Sequence, residues 1–163
     1  RTAAESYRTA VEASDSVRVL AELMAGTSGA VASTPPEAEE LIAAVDDQRL
    51  GIVVDTAHAF AAGIAIDEPE GVAALTHELH ERGLDSRLSL VHANDSVFER
   101  GAHRDRHTDI GDGMIGEAGW RALATDPLLS SVPWILETPG DAERQRADIA
   151  HLRTLAGRSR HGT

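Results

Sequence analysis

Leu50-Gly51-Ile52-Val53-Val54-Asp55, followed at once by Thr56-Ala57-His58, is the stretch on which the fold turns. A continuous apolar run of strand length, without polar alternation, suits a strand buried on both faces of a parallel sheet, where water reaches neither side. It ends on a carboxylate. Working outward, the same unit recurs. Upstream, Val17-Arg-Val-Leu-Ala-Glu22 alternates, is β-branched at its start and ends on Glu22. Downstream, Arg87-Leu-Ser-Leu-Val-His92 ends on His92, and Val132-Pro-Trp-Ile-Leu-Glu137 ends on Glu137.

Helical patterns separate and follow these strands. Pro35 and Pro36 suit a first turn, with Ala38, Leu41, Ile42 and Val45 as the apolar stripe. Asp67 is expected to cap the next helix, with Pro69 in its first turn, Glu70 three residues after the cap, Val72, Leu75 and Leu79 inward, and Gly83 at its end. Further helices are expected over 117–124 and 141–156, the latter with Ile149, Leu152 and Leu155 inward. Residues 1–14 read as a leading helix, and residues 157–163 as a frayed tail. Four strand–helix units in tandem imply parallel strands with right-handed crossovers, the α/β class and a (β/α) barrel of TIM type. A full barrel needs about 250 residues and eight units. The 163 residues therefore read as a single incomplete barrel domain of about four units.

All four strands end on a potential ligand: Glu22, Asp55, His92 and Glu137. In such barrels the catalytic side chains gather at the carboxyl ends of the strands. A strand-end carboxylate often does no more than cap the helix that follows, but that explanation does not extend to His92. A second constellation lies in the loop Gly101-Ala-His-Arg-Asp105-Arg-His107-Thr-Asp-Ile-Gly111-Asp-Gly113-Met-Ile-Gly116. Asp105 and His107 are two residues apart, so in an extended backbone both side chains leave on one side and can close on one ion. Taken alone, an Asp-x-His pair is more often a polar surface loop. Here it keeps company with His58 and the strand-end set. His103 and Asp109 flank the pair with the same parity.

Composition limits the chemistry. With 42% hydrophobic residues the chain can build a core, although aromatics are 3% and Ala, Val, Leu and Ile must do the packing. Cysteine is absent, so disulfides and thiolate metal sites are excluded and His, Asp and Glu remain as strong ligands. The net charge of -12 weighs against nucleic acid as a partner. That inference weakens if carboxylates hold divalent cations, whose charge then dominates locally. No apolar run approaches ~18 residues and no signal-peptide pattern opens the chain, which leads to the expectation of a soluble, cytoplasmic protein without membrane partners. Arg1, rather than Met, stands inside a helix-like stretch, which suggests a missing beginning.

Four segments resemble the endonuclease IV type of apurinic/apyrimidinic endonucleases. They are Glu22-Leu-Met-Ala-Gly26, Leu50-Gly-Ile-Val-Val-Asp-Thr-Ala-His-Ala-Phe-Ala-Ala-Gly63, His92-Ala-Asn-Asp-Ser96 running into Gly101 to Gly116, and Ile135-Leu-Glu-Thr-Pro139. The resemblance runs from about Val17 to Ala156 and corresponds to the second half of that family's barrel. It departs at Leu23-Met24, where the family usually has Asn-Thr, at Ala57, where it has Cys, and at Val97, where it often has Lys. None of these is a ligand position.

The resemblance implies three zinc ions in the full-length enzyme, with two sites largely complete here. Glu22 would bridge two zincs, with Asp55, His92 and Glu137 completing one of them. His58, Asp105 and His107 would hold the third. The other zinc that Glu22 bridges would need two histidines from the missing N-terminal half of the barrel. The partner implied is DNA with abasic sites, cleaved 5′ to the lesion by a zinc-activated water in base-excision repair, with Glu22 orienting the nucleophile. His77, His80, His151 and His161 are expected to be solvated, and His103 to face solvent or DNA. The rival is a single-metal sugar isomerase or epimerase of the xylose isomerase-like barrel class, which uses Glu, Asp, His and Glu at four strand ends. Such an enzyme needs neither His58 nor the Asp105–His107 pair.

Overall fold

In the computed structural model, residues 2–13 and 16–157 are described. Arg1 and Ser14 of the leading helix lie outside them, as does the expected tail apart from Gly157. Helix Ala3–Glu12 (α1) opens on a capping box in which Thr2 and Glu5 each accept the other's backbone N–H. The parallel sheet follows: Val19–Glu22 (β1), Leu50–Asp55 (β2), Leu88–His92 (β3) and, after a short antiparallel pair, Trp134–Ile135 (β6), in the order β1-β2-β3-β6. The short pair is Asp95–Ser96 (β4) with His107–Thr108 (β5). Helices are Pro35–Val45 (α2), Thr56–Ala61 (α3), Pro69–Glu81 (α4), Gly116–Thr125 (α5) and Ala142–Leu155 (α6).

Every residue of β2 is buried, as its unbroken apolar run requires. Ile52, Val54 and Val91 lie under the helices with Leu41, Leu75, Leu79, Leu123 and Trp120, forming one continuous core. The opposite face of the sheet is less covered: Leu20 and Leu90 are half-buried and Ile135 is 47% exposed. Strands β1 and β6 each have one neighbour among the described residues.

Several local expectations are corrected. Val17 is exposed and the first strand begins at Val19. Asp67 does not cap α4. The cap position is Glu68, whose side chain makes no capping bond, and Arg100 holds the carboxylates of both Asp67 and Glu68, at 2.8 and 3.0 Å. In α6 the inward place expected for Ile149 belongs to Asp148, which is 2% exposed and accepts a hydrogen bond from Thr138 Oγ1 at 3.1 Å. Ile149 is 37% exposed. Neither helix α3 nor the β4–β5 pair is expected from the sequence pattern.

Candidate metal centre

The ends of β1, β2 and β3 are Glu22, Asp55 and His92. Asp55 and His92 are direct cross-strand partners, and Glu22 pairs with Val53, two residues before Asp55. A period of two therefore sends all three side chains to one face. Glu137 is expected to end the fourth strand, but β6 stops at Ile135. Beyond it the Glu137 backbone N–H leaves the ladder and donates to Asn94 Oδ1 at 2.9 Å, which bends the carboxylate back towards His92. Glu22, Asp55, His92 and Glu137 each offer a ligand atom, all within 4.8 Å of one another. His92 Nδ1 stands 3.1 Å from Glu22 Oε1 and 3.3 Å from Glu137 Oε2.

A second group adjoins the first. His58 sits in α3, whose N-terminus is capped by Asp55: Oδ1 accepts the His58 backbone N–H at 2.8 Å. His107 is brought in by the β4–β5 pairing, Ser96 opposite His107. Asp55, His58 and His107 offer ligand atoms within 4.8 Å of one another. Asp105, half-exposed, divides its carboxylate between the two rings: Oδ2 lies 3.3 Å from His58 Nε2 and Oδ1 lies 3.2 Å from His107 Nε2. The His58 and His107 rings are 5.4 Å apart, centre to centre.

Both Nε2 atoms are buried and neither has a hydrogen-bond partner. A buried polar atom without a partner calls for a reason. Two imidazole nitrogens facing one carboxylate fit a divalent cation held by nitrogen and oxygen. His58 Nδ1 lies 3.2 Å from the Leu23 carbonyl and 3.1 Å from Glu22 Oε1, which fixes the ring and leaves Nε2 to face Asp105.

The charges answer one another. Burial lowers the His58 pKa, but the Glu22 hydrogen bond and the charges of Asp55, Asp105 and Glu22 outweigh it and lift it to about 9. Burial pushes Glu22 up, and the contacts with His58 and His92 more than reverse this, leaving its pKa below the ordinary value. Asp55, fully buried, is pushed up by desolvation in spite of His58, His107 and Asn94. Excess negative charge in a low-dielectric pocket of this kind is relieved by a cation.

Three supporting residues escape a reading of ligand types. Asn94 donates to both Asp55 and Glu137. Thr56 Oγ1 donates to the Asn94 carbonyl at 2.6 Å and ties α3 to the end of β3. Asp95, wholly buried, accepts from the Gly111 N–H at 2.9 Å, the Ile115 N–H at 3.2 Å and Trp120 Nε1 at 2.8 Å. It thereby ties down the loop that follows His107. Gly113 must be glycine there, since a Cβ would stand 2.3 Å from Asp95 Oδ1 and 2.6 Å from the Ser96 carbonyl oxygen. The signal available in sequence is the run of polar residues directly after an apolar strand.

Of the remaining histidines, His77, His80 and His151 are exposed, and His80 pairs with Asp85 at 2.8 Å. His161 is outside the described residues. His103 is exposed and packs across Gly26.

The family model described as xylose isomerase-like TIM barrel matches residues 1–155. A protein of Streptomyces coelicolor named "Probable endonuclease 4" is 40% identical over 142 residues, 86% of this chain and 48% of that protein. One of the same name from Natronomonas pharaonis is 44% identical over 128 residues, 77% of this chain and 45% of that protein. The crystal structure of endonuclease IV from Thermus thermophilus superposes with a TM-score of 0.74 at 31% identity, over 86% of this chain and 50% of that one. The chain thus spans about half the length of the curated relatives it matches. By the match of nearly all its residues, the chain belongs to the xylose isomerase-like TIM barrel family, and within it resembles the C-terminal half of endonuclease IV.

Proposed function

We propose that this chain carries the greater part of the metal centre of a zinc-dependent apurinic/apyrimidinic endonuclease, which hydrolyses the phosphodiester 5′ to an abasic site in DNA base-excision repair. The observation that supports this reading is the second donor group beside the first: His58 and His107, each with a buried unpartnered Nε2, facing Asp105. A single-metal isomerase uses only the strand-end set, and for it this second group would be idle. Zinc suits donors that are all nitrogen and oxygen, and when bound it supplies a Lewis acid for the phosphate and lowers the pKa of water.

The chain's own residues do the rest. Glu22 is held as a carboxylate between His58 Nδ1 and His92 Nδ1 at 3.1 Å each, where it can orient an attacking water. Asp55, buried between the two groups, keeps its Oδ2 3.9 Å from both His92 Nδ1 and His107 Nε2. Glu137, half-exposed, reaches the same centre from the solvent side.

Half the length of the relatives is not represented, and the resemblance assigns two further histidine ligands to that portion. We expect the 163-residue chain alone to incise abasic DNA weakly or not at all, and incision to appear when the preceding barrel half is supplied, fused or as a separate fragment. Abasic duplex and a ketose should be offered side by side to that reconstituted protein with zinc. Incision 5′ to the abasic site, lost in Glu22→Gln, is the expected result; epimerisation of the ketose without incision would overturn the reading.

A further inference from the structure

We propose that Asn94 is the positioning residue of the metal centre: a buried amide that fixes the carboxylates of Asp55 and Glu137 in their ligand orientation. The inference rests on the proposed metal centre and adds a residue that holds no ion itself.

Asn94 is fully buried, and every polar group it has is engaged. Its Nδ2 donates to Asp55 Oδ2 at 2.6 Å and to Glu137 Oε2 at 3.3 Å. Its Oδ1 accepts the Glu137 backbone N–H at 2.9 Å. The orientation of the amide is forced, because the flipped form would set Oδ1 against two carboxylates and Nδ2 against an N–H. Only a side chain with two donors on one atom and an acceptor on the other satisfies all three contacts. An aspartate would add a third anion, and a glutamine would overreach by a methylene. The backbone of Asn94 is fixed independently: its N–H donates to Thr56 Oγ1 at 2.9 Å and its carbonyl accepts the Thr56 hydroxyl at 2.6 Å.

The consequence for Asp55 is specific. With Oδ1 taken by the His58 N–H and one lone pair of Oδ2 taken by Asn94, the carboxylate cannot rotate. Its Oδ2 remains 3.9 Å from His92 Nδ1 and 3.9 Å from His107 Nε2, between the two donor groups. Glu137 lies on a segment outside the sheet, and both its side chain and its backbone are tied to this one amide. Partners of this kind, one bond removed from the ion, are commonly worth about 10- to 100-fold in metal affinity.

The test compares Asn94→Ala with Thr56→Val in the same chain. Thr56 bonds only the backbone around Asn94, so its removal loosens the junction without touching a ligand carboxylate. Zinc affinity is read by competition with a chromophoric chelator, the ligand field by the visible spectrum of the cobalt(II)-loaded chain, and stability by melting in EDTA. Asn94→Ala should weaken zinc by about 10- to 100-fold and alter the cobalt spectrum, while Thr56→Val lowers the melting temperature in EDTA and leaves affinity within about threefold. If Asn94→Ala does not fold, Asn94→Gln carries the same comparison, with the amide kept and its reach changed. Equal effects of the two variants on affinity and spectrum, or a wild-type spectrum without Asn94, would overturn the proposal while the metal centre stands. A parent chain that binds neither zinc nor cobalt would overturn both.

Discussion

His58 shows how much one side chain can be asked to do. Nδ1 faces Glu22 of the strand-end set and Nε2 faces Asp105 of the second group, so a single ring joins the two. Without metal, the surrounding carboxylates hold it protonated up to about pH 9. A histidine whose folded pKa is raised stabilises the fold fully below its unfolded value, here 6.5, and that contribution fades as pH rises to about 9. In chelator, the chain should therefore lose stability between those limits, on the order of 3 kcal/mol from this group. His58→Gln should flatten the slope. A melting temperature in EDTA that is already flat across that range in the parent chain would mean that the imidazole is neutral when folded. Metal binding requires Nε2 without its proton, so zinc should reverse the trend and stabilise more strongly as pH rises.

The elements differ in how far they can be read from sequence. The strand Leu50–Asp55 and its carboxylate are legible because an apolar run and a charged end are local features. Helix α3 is not, since all six of its residues are buried and no amphipathic stripe marks it. The β4–β5 pair escapes because two-residue strands carry no periodicity; the pairing is made by contact between segments about a dozen residues apart. The end of strand β6 is easily overread because Glu137 follows apolar residues, while its actual course is set by Asn94, 43 residues away. Asp95 is the hinge of this region. Removing its carboxylate leaves the Gly111 N–H, the Ile115 N–H and Trp120 Nε1 without an acceptor. Asp95→Ala should cost on the order of 3 kcal/mol in denaturant unfolding, because buried donors lose their partner. It should also speed hydrogen exchange at Gly111 and Ile115. Unchanged exchange at both amides would show that the loop holds its shape without Asp95.

For the molecule as a whole, the sheet faces two ways. One face is sealed by helices, while the other carries the donor groups together with half-buried Leu20 and Leu90 and the exposed Ile135. The outer edges of β1 and β6 offer unpaired backbone among the described residues, a geometry that invites further strands. Both features suit a chain that spans about half the length of its relatives, and both support the proposed requirement for the other half before DNA is incised. Among the described residues no helix is long and apolar enough to cross a membrane. The seven ligand candidates can be named from sequence by residue type and by their place at strand ends and in a short-spaced pair, and the fold brings them together. The supporting contacts cannot be named so, because Asn94, Thr56 and Asp95 act through bonds that only the folded chain brings together. The central claim, two adjoining metal sites built from Glu22, Asp55, His92 and Glu137 and from His58, Asp105 and His107, is tested most directly by zinc content. Elemental analysis of the zinc-loaded, desalted chain should give about two zinc ions per chain and about one in His107→Ala, with the strand-end site still filled. Equal zinc in the parent and in His107→Ala would contradict it.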